Sequence, residues 1–138
     1  MFKRQIRFRK DEIAGSNLCW KDNKWEFRLH VSWDLYEILK NGAEEKIDLS
    51  KVSNLEYRLY LWKEGEGFPA EPVYRGQENF HSRDYSLGQD EILYSYVEAK
   101  FDIGRKKGLK ASSDTARSYI TGLESRICLL YTSPSPRD

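Results

Sequence analysis

The stretch KWEFRLHVSW, residues 24 to 33, constrains the fold more than any other part of the chain. Trp25, Phe27, Leu29, Val31 and Trp33 alternate with Glu26, Arg28, His30 and Ser32. Successive side chains of an extended chain point to opposite faces, so a two-residue period means a strand with one dry face and one wet face. Burying each of those apolar side chains stabilises by roughly 1.5–3 kcal/mol before ordering entropy is charged. The dry face therefore requires an opposing apolar layer from elsewhere in the chain.

Several stretches can supply it. LEYRLYLWKEGEG places Leu55, Tyr57, Leu59 and Leu61 on one parity, and Glu66-Gly67 ends the strand. EILYSYVEAKFDIG is longer and apolar on both parities, which predicts a central strand covered at least in part on both sides. SNLCWK, residues 16 to 21, is a short apolar segment turned by KDN into the opening strand. EPVYRG is Pro-flanked and suits a sheet edge, and RDYSL reads as another short strand. RKKG turns the chain, and SSDTARSYITG reads as a last strand.

One segment breaks the pattern. In DLYEILKNG, Asp34 suits an N-cap, Leu35, Ile38 and Leu39 fall at helical spacing, and Asn41-Gly42 reads as a stop. The expectation is one or two helical turns followed by the polar loop AEEKIDLSKVSN. At the start, MFKRQIRFRK puts Phe2, Ile6 and Phe8 on one parity. A strand with a basic outer face explains that better than a mitochondrial presequence or a phosphate-binding arm. Seven strands with one short helical insertion between the second and third predict an all-β, antiparallel, immunoglobulin-like β-sandwich. In such a fold two sheets face each other about 10 Å apart.

A length of 138 residues suits one domain with a single core. The expected division is an N-terminal basic strand or arm over 1–15, the sandwich over 16–122 and a tail over 123–138. With 23 basic against 22 acidic residues, bulk charge gives no reason to expect nucleic acid or a membrane surface. No apolar run approaches the roughly 20 residues that cross a bilayer. CLLYTSPSPRD, residues 128 to 138, resembles a translated sequencing adapter and is set aside, so that the natural sequence is expected to stop near Arg126 within a longer parent. Without that tail Cys19 stands alone, the chain has no N-x-Ser/Thr site and no secretory h-region follows Met1. Those features together lead to an expected cytoplasmic location.

SNLCWKDNKWEFRLHVSWD resembles the first two strands of a fibronectin type III domain, in which a leucine precedes an alternating strand that closes on a core Trp. Leu18 and Trp33 hold those places. YRLYLWKEGEG is similar to the family's third strand, whose first Tyr, here Tyr57, packs on that Trp. YSLGQDEILYSYVEAKFDIGRKKG resembles the strand, corner and long strand that follow. Leu87 matches the corner leucine, Val97 and Ala99 match inward core residues, and Gly104 matches the turn into the last strand. The resemblance spans residues 16 to 122. It implies a core of Leu18, Trp33, Tyr57, Leu59, Leu87, Leu93, Val97 and Ala99, and a protein-interaction or spacer role. Two departures stand out: Leu93 occupies the corner-tyrosine position with Tyr94 one residue late, and the link from Trp33 to Tyr57 is about twice the expected length.

No residues point to catalysis. His30 and His81 stand apart, Cys19 has no companion, and there is no phosphate loop, nucleophile elbow or H-E-x-x-H. The expectation is no enzyme, no metal and no cofactor. Parity supplies the candidate site. If Tyr57, Leu59, Leu61, Val97 and Ala99 point inward, then Tyr60, Trp62, Tyr94 and Tyr96 point outward. The resemblance implies that their two strands are neighbours, so these rings would line one face, framed by Arg58, Glu98 and Lys100. Such a patch fits a protein partner. The alternatives are burial of the face under the insertion carrying Leu35, Ile38 and Leu39, a carbohydrate-binding platform, and a spacer with no ligand.

Overall fold

The computed structural model describes residues 3–9, 14–88, 91–121 and 126–131, with side-chain surroundings for 3–9, 19–88 and 91–118. These residues form two antiparallel sheets around one shared core.

The first sheet is organised by β3 (Lys24–Ile38), the strand read from the opening alternation and longer than that stretch. β2 (Ala14–Lys21) pairs with its first half and β1 (Lys3–Phe8) with its second. β4 (Glu44–Lys46) pairs at its end, and β7 (Phe80–Gly88) runs beside it from Lys24↔Gly88 to Ser32↔Phe80. Phe27, Leu29, Val31, Trp33 and Leu35 are all buried, as the two-residue period requires.

The second sheet centres on β5 (Val52–Lys63) and β8 (Leu93–Ile103), paired to each other. β6 (Tyr74–Gly76) forms one edge on β5. Along the other side of β8 lie β9 (Lys106–Ser112) and then β10 (Ala116–Thr121), and β11 (Arg126–Tyr131) pairs with β10. β11 reaches into the segment set aside as a tail; residues 132 to 138 lie outside the described residues.

The sheets meet through Trp33 and Tyr57, whose rings make an edge contact with centroids 5.5 Å apart and planes at 78°. Both are fully buried, with Leu59, Leu87, Leu93, Val97 and Ala99 around them in the same cluster. Burial pushes the Tyr57 hydroxyl up to about 12, and the nearby Asp34 carboxylate adds to it. Leu18 lies on β2, and its side chain falls outside the described set. Leu93 is buried on the inner face with Val97 and Ala99, and Tyr94 lies on the opposite parity.

Four expectations are corrected. The helical turns over residues 34–42 do not form: β3 continues through Ile38, and Leu35 is buried opposite Ile6. Leu35 satisfies both a helical and a two-residue period, and pairing with β1 and β4 decides in favour of the strand. Asn41-Gly42 serves as a hairpin turn instead. Gly42 adopts φ +86°, the Asn41 carboxamide accepts from the Ala43 amide at 2.9 Å, and Leu39 donates to the Ala43 carbonyl at 2.8 Å. The expected polar loop contains β4 and a single 3-10 turn, Leu49–Lys51, capped by Asp48. The strand count also exceeds seven, because β1, β4, β9 and β11 add to it. RKKG is mostly strand: the turn is confined to Gly104 and Arg105, and Leu109 and Ala111 alternate inward after it.

Candidate functional site

The pairing of β5 with β8 places Arg58 opposite Glu98, Tyr60 opposite Tyr96 and Trp62 opposite Tyr94. The odd-numbered neighbours Tyr57, Leu59, Leu61, Leu93, Val97 and Ala99 are buried on the inner face, so the even-numbered residues occupy the outer one. Directly opposed side chains in an antiparallel pair have Cβ atoms roughly 4.5–5.5 Å apart, which brings the rings into contact. Trp62 stacks on Tyr94 with centroids 5.5 Å apart and planes at 25°. Tyr60 and Tyr96 lie 6.2 Å apart at 41°.

A fifth ring completes the cluster. Phe68, in the loop between β5 and β6, sits 4.7 Å from Tyr60, 5.0 Å from Trp62 and 5.8 Å from Tyr96. Its loop leaves β5 through a turn in which Glu66 donates to the Lys63 carbonyl at 3.1 Å and its carboxylate accepts from the Lys63 amide at 2.9 Å. Gly65 and Gly67 adopt φ +92° and +78°, a region that side chains with a Cβ rarely enter. Phe68 covers Tyr60, which is 7% exposed, while remaining 57% exposed itself. Trp62, Tyr94 and Tyr96 are half-buried, and burial raises the Tyr96 hydroxyl above its ordinary value. Of residues 35 to 54, the stretch expected to cover the face if any did, 35–38 and 44–46 pair within the first sheet instead.

The frame is charged and uneven. The Glu56 carboxylate holds Arg58 at 3.5 Å and Arg75 at 3.2 Å. The Tyr60 hydroxyl donates to Glu98 at 3.5 Å. Lys100 stands opposite Glu56 on one side and Lys110 on the other. Beside the rings lies an open depression of about 440 Å³ lined by Glu56, Arg58, Tyr96, Glu98, Lys100 and Lys110 among others. The candidate residues therefore share one face, and parity missed only the members that do not alternate with them in sequence. Phe68 sits in EGEGFPAEP, whose sole local signal is one aromatic residue between glycine and proline.

Among the described residues no group of His, Cys, Asp and Glu side chains is placed to hold a metal ion, and no helix is long and apolar enough to cross a membrane. Compared with family models, curated proteins and solved structures, the chain matches no family model, no curated protein and no solved structure.

Proposed function

We propose that this chain is a non-catalytic protein-interaction module of immunoglobulin-like, fibronectin type III-like build, which works in the cytoplasm and binds a protein partner through the outer face of its second sheet. One observation carries the reading: five rings joined into one cluster on a sheet face, three of them half-buried and Phe68 largely exposed. Tyr and Trp combine large apolar area with a polar tip and few rotatable bonds, so covering them releases much water at small entropic cost. Contiguous exposed apolar surface of this kind on a soluble domain marks an interaction site. The cytoplasmic assignment rests on Cys19 and Cys128 being the only cysteines in the chain, with Cys128 in the adapter-like tail.

The test is a photo-crosslinking amino acid placed at Trp62 and, separately, at Arg28 on the outer face of the first sheet. The reading expects a protein adduct from position 62 that Tyr94→Ala weakens, and none from position 28. Adducts of equal yield from both positions, or saturable saccharide binding that Trp62→Ala abolishes, would overturn it.

A further inference from the structure

The Phe68 ring is supplied to the face by the chain's own loop, touches Tyr60, Trp62 and Tyr96, and is still more than half exposed. It marks a seat that accepts an aromatic ring. The positive-φ glycines Gly65 and Gly67 precede it, and the loop that carries it belongs to neither sheet.

The charges around the seat are not balanced. Lys100 and Lys110 stand directly opposite each other on β8 and β9, both exposed, an arrangement that repels. Arg117 on β10 stands opposite Tyr94, also exposed. Among the described residues neither Lys110 nor Arg117 has a carboxylate partner. Lys100 faces Glu56, whose carboxylate is already held by Arg58 and Arg75, and feels the field of Asp102, whose oxygens are held by Asn54 at 2.7 Å, the Gly108 amide at 2.8 Å and Lys107 at 3.9 Å. The acidic residues of the face are engaged: Glu56 with Arg58 and Arg75, and Glu98 with Tyr60. A surplus of positive charge therefore brackets the rings at both ends.

We propose that the face selects an extended acidic segment of its partner, whose central apolar side chain takes the Phe68 seat while its carboxylates meet Lys100 and Lys110 at one end and Arg117 at the other. This inference rests on the binding role argued above and names the chemistry of the partner. Tyr94, beside Arg117, and Lys100 are both on β8, and at roughly 3.3 Å per residue they are about 20 Å apart, so an extended segment of about six or seven residues spans the site. Rim charges of this kind act chiefly through encounter and salt dependence, and the rings through residence time.

The experiment measures fluorescence anisotropy of two labelled peptides, each with one central Phe, flanked in one by glutamates and in the other by lysines. The glutamate peptide is expected to bind at least about tenfold more tightly than the lysine peptide, with affinity falling as salt is added. K110E/R117E, whose side chains are exposed and leave the fold intact, is expected to remove that preference or invert it. Equal binding of both peptides, lost in W62A, overturns the acidic selection and leaves the interaction face standing. Binding of the glutamate peptide that neither W62A nor K110E/R117E changes overturns both. Failure of the glutamate peptide to bind, or capture of a sulfated disaccharide in its place, overturns the inference.

Discussion

On the outer face of the first sheet, charges find one another; on the outer face of the second, rings do. Arg7 lies on Glu44, Arg9 and Lys46 on Asp34, and Arg28 on Asp84, while His30 shares a hydrogen bond with Ser82 at 2.8 Å. Across the core, Trp62 stacks on Tyr94, and Phe68 bridges Tyr60, Trp62 and Tyr96. Both faces come from the same alternation, and both place cross-strand partners in contact. They differ in what remains afterwards. A pair of opposite surface charges satisfies itself and presents a hydrated surface that costs free energy to strip. A pair of half-exposed rings still has apolar area to cover. The charges of the first face satisfy one another, leaving the ring of Phe80 54% exposed at its margin, whereas the rings of the second form one cluster with area left to cover.

The largest expected effect comes from removing what the two faces share. Trp33 is fully buried where the sheets meet, and Trp33→Ala should destabilise by about 3–5 kcal/mol. Urea unfolding followed by far-UV circular dichroism and by ring fluorescence should show one shifted transition with both probes. Separate transitions would mean that the two faces belong to independently folding layers, and the comparison would lose its common frame.

Next comes Phe68→Ala. Ring pairs contribute about 0.5–1.5 kcal/mol beyond area burial, and this ring is largely exposed, so the cost should sit within that range. Tyr60 and Trp62 should become more accessible, read as stronger acrylamide quenching of tryptophan fluorescence. On the first face, Arg7→Ala should leave quenching unchanged, because among the described residues its guanidinium contacts Glu44 and Gln5. Unchanged quenching in Phe68→Ala would show that the ring does not cover its neighbours in solution.

These two residues also mark the limits of what was legible in the chain. Trp33 was readable because local alternation and global packing agree, and the same holds for Tyr60, Trp62, Tyr94 and Tyr96. Leu35 satisfies both the helical and the strand period, and the strand is chosen by β1 and β4, partners distant in sequence or beyond a turn. Lys106 and Lys107 read as turn because two adjacent exposed lysines resemble a loop; the two-residue turn at Gly104-Arg105 and the inward Leu109 and Ala111 betray β9. Phe68 had no period at all. Its position depends on a loop path, which alternation does not encode.

Acid should separate the faces further. The Arg9 guanidinium hydrogen-bonded to Asp34 holds that carboxyl below its ordinary 3.8, against a smaller opposing effect of burial. A depressed carboxylate contributes stability that is present above its unfolded value and lost as pH falls through the folded one. The loss from Asp34 therefore begins near pH 4 and continues below it. His81 acts earlier. Burial, with Arg83 nearby, lowers it from 6.5, so the unfolded chain takes the proton more readily and stability begins to fall below about pH 6.5. His81→Phe, which keeps a ring against Tyr74 at the margin between the sheets, should flatten the mild-acid limb. Asp34→Asn should cost about 1 kcal/mol at neutral pH, since Arg9 is 43% exposed and solvent screens the pair, and should flatten only part of the limb below pH 4. Glu91, Asp102 and Asp48 are depressed as well and contribute to the same limb.

The smallest effect is the most direct test of the contrast. Arg28 and Asp84 lie 3.2 Å apart with side chains 45% and 85% exposed. A double-mutant cycle of Arg28→Ala with Asp84→Ala should return a coupling of about 0–0.5 kcal/mol, because screening and side-chain entropy offset most of the attraction. The same cycle on Trp62 and Tyr94 should return about 0.5–1.5 kcal/mol, because stacked rings exclude water that the ion pair retains. Salt should erase the first coupling and leave the second in place. If the ion pair couples as strongly as the rings, the first face is as tightly organised as the second, and self-satisfied charge no longer distinguishes a solvated surface from one built to meet a partner.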